Sequence, residues 1–141
     1  MPPPPDHHPT HQVLDALAAL DATQVLSEAL DTLPGGLFTV SADRRITSWN
    51  AEMEALTGYA AHEIIGRPCT VLQADACFSN TCNQATDPCG LWQKGTVRQK
   101  RCTIQRKDGS RVAVVKNARL LYDREGRLFG ALESALDVSD V

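Results

Sequence analysis

The chain has 141 residues with 14 Lys and Arg against 17 Asp and Glu, a net charge of -3. That length suits one domain with one modest core and leaves no room for a second catalytic or DNA-binding domain. The acidic balance argues against a surface built throughout for nucleic acid or acidic lipid, and no apolar run approaches the roughly 20 residues of a membrane span.

Residues 1–11 are rich in Pro and His, bury little apolar surface and are expected to be a disordered tail. His7, His8 and His11 read there as solvated side chains rather than a metal trap. The N-terminus lacks the positive and hydrophobic regions of a secretory signal, so the expected location is the cytoplasm, with no membrane and no direct nucleic-acid partner.

A helical cap is predicted over 12–33, with Leu14, Leu17 and Leu20 on one side of a first stretch and Val25, Leu26, Leu30 and Leu33 in a second. Asp21 is placed as the cap between them, and Pro34-Gly35-Gly36 ends the helical region. The remaining domain, 34–141, opens with a hairpin: strand Leu37 to Val40, turn Ala42-Asp43-Arg44, strand Arg45 to Trp49.

Asn50 caps a helix from Ala51 to Leu56 that stops at Thr57-Gly58-Tyr59, and another short helix begins near Ala61. The stretch from Cys69 to Gly95 is the least regular, with a short helix expected at Leu91 to Lys94. Three strands follow, Val97 to Arg106, Arg111 to Tyr122 and Leu128 to Val138, joined by the turns Lys107-Asp108-Gly109-Ser110 and Asp123-Arg124-Glu125-Gly126. Most Lys and Arg fall between Lys94 and Arg119, and this basic strand face is read as solvated.

The predicted class is α+β, a five-stranded antiparallel sheet with short helices on one face and an N-terminal helical extension. From Ala29 to Val141 the chain resembles the PAS family. The likeness lies in Leu33-Pro34-Gly35-Gly36-Leu37-Phe38, Asp43-Arg44-Arg45-Ile46-Thr47-Ser48-Trp49-Asn50, Leu56-Thr57-Gly58-Tyr59 and His62-Glu63-Ile64-Ile65-Gly66-Arg67. It continues in Arg106-Lys107-Asp108-Gly109-Ser110 and Asp137-Val138-Ser139. The look is nearest to N-terminal PAS sensor domains of bacterial enhancer-binding transcription activators and sensor histidine kinases. The resemblance implies a ligand or cofactor enclosed between helices and sheet, and an exit at Asp137-Val138-Ser139 that passes the signal to a downstream effector domain or partner protein. It also implies a homodimer through the N-terminal helices.

Of the five cysteines, Cys69, Cys77, Cys82 and Cys89 lie in the irregular stretch, where PAS domains usually build their pocket. Their odd total and the missing secretory signal argue against a disulfide framework. Thiolates on loops can converge on one centre, so an iron-sulfur cluster or zinc is expected, or else no cofactor and a redox-active dithiol. Arg67, beside Cys69, is the local cation that would favour a thiolate. Cys102 shares a strand face with Ile104 and reads as core.

Gly66-Arg67-Pro68-Cys69-Thr70-Val71-Leu72-Gln73 also resembles the light-oxygen-voltage motif, a flavin-binding PAS branch with a reactive cysteine. Pro68 replaces that branch's Asn, however, and the sheet positions expected to carry amides for the flavin edge hold Ile104, Val114 and Ala135. Haem lacks an attachment motif, and His62 reads as a surface residue. No nucleophile with a base, acid-base pair or phosphate loop is evident, so the chain is expected not to be an enzyme. The expected function is sensing of redox state or of a metal centre in a signal-transduction or transcription-regulatory protein. The alternatives are a cofactor-free dimerisation module and a flavin-binding light sensor.

Overall fold

The computed structural model describes residues 9–74 and 90–140. The chain divides into two units, Met1–Pro34 and Gly35–Val141. In the first, α1 spans Pro9–Ala16 and α2 spans Ala22–Thr32. α1 starts ahead of the expected Gln12 because Pro9 suits a first helical turn, where its missing N–H has no helical acceptor to lose. The rest of the expected tail, residues 1–8, lies outside the described residues.

Asp21 caps α2 as expected, its carboxylate accepting from the Gln24 N–H at 2.8 Å. At the other end the Leu33 N–H still reaches the Ala29 carbonyl at 3.1 Å, and Pro34 follows without a donor to continue. Leu26, Leu30 and Leu33 recur at helical spacing and are exposed.

The second unit runs β1 (Gly36–Ser41), β2 (Ile46–Trp49), α3 (Ala51–Thr57), α4 (Ala61–Ile64), a 3-10 turn (Cys69–Leu72), α5 (Leu91–Lys94), β3 (Thr96–Gln105), β4 (Arg111–Tyr122) and β5 (Leu128–Asp137). The strands form one five-stranded sheet in the order β2-β1-β5-β4-β3, antiparallel at every pairing. β5, last in sequence, therefore sits at the centre. Among the described residues no helix is long and apolar enough to cross a membrane.

Period-two alternation sends Phe38 and Val40 of β1, Val112 and Val114 of β4 and Ala131 and Ala135 of β5 to one buried face. Met53 of α3, Ile64 of α4 and Leu91 of α5 are buried in the same core. α3 approaches β1 so closely that the Met53 thioether fills the space a side-chain carbon at Gly36 would need. α3 ends at Gly58, whose φ of 81° and N–H to the Glu54 carbonyl form a left-handed cap.

One side chain fixes where that helix begins. Asn50 Oδ1 accepts from the Met53 N–H at 2.9 Å, capping α3, and from the Leu37 N–H at 3.0 Å, tying the cap to β1. Asn50→Ala leaves both donors unmatched. We expect it to lower unfolding free energy by about 1–2 kcal/mol, read from urea denaturation with an unchanged slope.

Candidate functional site

On β4 the buried face reads Val112, Val114, Lys116, Ala118, Leu120, and on β5 it reads Ala131, Glu133, Ala135. Two charged residues thus stand in apolar alternations on neighbouring strands. Their registers, Lys116 opposite Ala135 and Glu133 opposite Ala118, make them diagonal neighbours. Lys116 Nζ lies 3.1 Å from Glu133 Oε1, with side chains only 14% and 8% exposed.

The ammonium also lies 6.0 Å from the Phe38 ring centre, within reach of its negative face. Phe38 tilts against Trp49 at 5.2 Å, and the Trp49 indole N–H donates to the Tyr59 carbonyl at 3.0 Å. Taking either charge out of water is costly unless the other is present. Lys116 therefore departs from the solvated basic face expected of this stretch. It was legible as a charge inside an otherwise apolar period-two run, as was Glu133.

The second group lies around the β1–β2 turn. Arg44 has a φ of 67°, a left-handed conformation that costs a side-chain-bearing residue about 1–2 kcal/mol. Its carbonyl accepts from the Cys69 N–H at 2.9 Å, and Arg45 forms a bridge with Pro68. The hairpin thus anchors the chain entering the 3-10 turn, and Cys69 is half-buried against the core. Cys77, Cys82 and Cys89 lie outside the described residues. Among the described residues no three metal-ligating side chains cluster.

Arg67, expected as the cation for Cys69, has its guanidinium over the Tyr59 ring at 5.6 Å. Arg44, on the hairpin, meets Cys69 through its backbone carbonyl. Cys102 is buried in the core, as expected. His62 is exposed on α4, as expected of a surface residue.

The third group is the end of β5. Asp137 Oδ1 accepts from the Ser139 hydroxyl at 2.6 Å and from the Ser139 N–H at 2.8 Å. The Val138 N–H donates to the Ala113 carbonyl at 3.0 Å, so the turn stays attached to β4. The Ser139 hydroxyl, then its N–H, and more weakly the Arg106 charge hold the Asp137 carboxyl below the ordinary range. Beside it an open cleft of about 260 Å³ lies between α3, the start of β1 and the end of β5, with Glu52, Leu56, Leu136 and Asp137 among its walls.

A sequence profile of the PAS fold matches residues 25–138. The chain belongs to the PAS family. Among solved structures it is similar to the PAS domain of a protein from Colwellia psychrerythraea, with TM-score 0.71 and 19% identity over 86% of this chain and 100% of that one. An RNA-binding light-oxygen-voltage receptor matches with TM-score 0.67 and 22% identity, over 99% of this chain but 36% of its own. A light-oxygen-voltage domain studied with a flavin analogue matches with TM-score 0.63 and 26% identity, over 82% and 86%. No curated protein matches the chain in sequence.

The light-oxygen-voltage relatives make flavin the cofactor to test against this PAS interior. Ile104, Val114 and Ala135, aligned with the positions expected to carry amides, are all buried and apolar. They offer no side-chain donor or acceptor to an isoalloxazine edge, and each polar flavin atom left unmatched would cost about 1–3 kcal/mol. The charged groups on this face, Lys116 and Glu133, are already joined to each other. Among the described residues, these sheet positions do not fit a flavin.

Two outcomes follow. Lys116→Met strands a buried carboxylate and is expected to cost about 3–5 kcal/mol in chemical denaturation, while adding Glu133→Leu restores most of the loss; two independent, additive losses would contradict a shared interaction. At the exit, a lowered carboxyl pKa means that the Asp137 contact contributes stability above the ordinary carboxylate range and loses it as pH falls through the folded-state value. Ser139→Ala should therefore raise the Asp137 pKa toward the ordinary range, as followed by carboxyl carbon shifts against pH.

Proposed function

We propose that this PAS domain is the sensory input of a bacterial signal-transduction or transcription-regulatory protein, working by binding and conformational change and not as an enzyme. The observation that carries the reading is the path of β5. This central strand holds Glu133 in the buried ion pair and, four residues on, Asp137 in the exit turn. A change that repacks the interior around Lys116 and Glu133 pulls on the strand that ends at the exit.

The input is assigned to Cys69, Cys77, Cys82 and Cys89. Four thiolates are a soft donor set that would hold zinc or an iron-sulfur cluster, and without a metal they would supply a dithiol open to oxidation. A bound cluster supplies one-electron redox chemistry. Cys69 supports the placement, since it is half-buried against the core and its backbone is fixed by Arg44. Output passes from Asp137 to an effector domain or partner protein. The amphipathic α2, with Leu26, Leu30 and Leu33 exposed, supports pairing of two copies through their N-terminal helices.

Metal content, absorption spectrum and thiol titre of the chain purified without oxygen test this reading. Bound iron with broad absorption in the blue, or bound zinc without colour, is expected, and is expected to vanish when the four cysteines become serine. A metal-free protein whose thiol titre is the same under reducing and oxidising conditions would overturn it and favour a cofactor-free dimerisation module.

A further inference from the structure

Three guanidinium groups surround the β1–β2 turn, and they differ in how their donors are met. Arg45 donates from Nη1 to the Gly66 carbonyl at 2.9 Å and lies 3.7 Å from the Asp43 carboxylate. Arg67 faces the Tyr59 ring. Arg44 is different: its guanidinium carbon sits 4.5 Å from the centre of the Trp92 ring, and its Nε is buried with no hydrogen-bond partner among the described residues. The nearest carboxylate in sequence, Asp43, is taken up by Arg45 and by the Ser41 hydroxyl.

Buried polar atoms in folded proteins are almost always hydrogen-bonded, so an orphaned guanidinium N–H calls for a cause. Stacking on an indole covers the flat face of a guanidinium and leaves its donors in the plane of the fork, the geometry that receives a carboxylate or phosphate edge-on. Trp92 is packed against the core, which holds the stack in place. The backbone at Arg44 has a φ of 67°, a conformation that suits glycine.

We propose that Arg44, stacked on Trp92, is a receptor for the oxyanion group, carboxylate or phosphate, of a small ligand. This site lies at the hairpin turn, apart from the Lys116–Glu133 pair, and does not depend on a metal at the cysteines.

Arginine Nε–H resonances of the full chain, titrated with inorganic phosphate and separately with acetate at ionic strength fixed by sodium chloride, test it. One resonance, missing in Arg44→Gly, should shift saturably with at least one probe, and the probe that saturates at lower concentration names the chemistry. Arg44→Gly suits the left-handed backbone and should unfold at the same temperature as the parent or higher, so loss of binding in it is not loss of fold. Arg44→Lys keeps the charge without the fork and should weaken binding by about tenfold or more. An Arg44 resonance already hydrogen-bonded before any probe is added, shifts that stay linear and unsaturated with both probes, or undiminished probe binding by Arg44→Gly in calorimetry would each overturn the proposal.

Discussion

The ion pair between Lys116 and Glu133 constrains the rest of this domain. It joins β4 to the central strand β5 across the buried sheet face, where neither charge is tolerable without the other. Its neighbours follow from that demand. Ala118 and Ala135, opposite the two charges in register, leave room for the long side chains, and Phe38 turns an aromatic face toward the ammonium. Such a pair adds little net stability over an apolar core, but it allows few alternative packings. An interior that senses gains from this arrangement, because a new charge or hydrogen bond there shifts a defined contact rather than a fluid one.

Around this centre, the chain is held at the ends of the segment that carries Cys77, Cys82 and Cys89. On one side the Arg111 guanidinium donates to the Gln73 carbonyl at 2.5 Å, and the Cys69 N–H is bound to Arg44. On the other side Trp92 lies under the Arg44 guanidinium. Arg44 therefore touches both flanks, through its carbonyl and through its side chain. A ligand that engages its Nε–H would act on the hairpin and on both flanks together.

Much of the architecture was legible in the sequence for identifiable reasons. The alternation Val112, Val114, Ala118, Leu120 and the turns Lys107–Ser110 and Asp123–Gly126 dictate the long strands and their antiparallel order, and Cys102 follows as core from its spacing to Ile104. Asn50 and Asp21 announce the helices they cap. The density of charge along β3 and β4 hides Lys116, whereas position within the period decides which face a residue takes, and the same holds for Glu133 on β5. Arg44 escaped because its role depends on contacts with Cys69 and Trp92, both more than twenty residues away in sequence. No local pattern announces such a meeting.

Transmission along β5 from Glu133 to the exit turn is tested most directly by amide hydrogen exchange in a Glu133→Gln variant. The substitution keeps the side chain's shape and removes its charge. The account predicts faster exchange at the Val138 and Ser139 N–H groups, which bind Ala113 and Asp137, alongside faster exchange in β4 near Lys116. Exchange altered around Lys116 but unchanged at Val138 and Ser139 would show that the ion pair is a local packing feature, and would contradict the account.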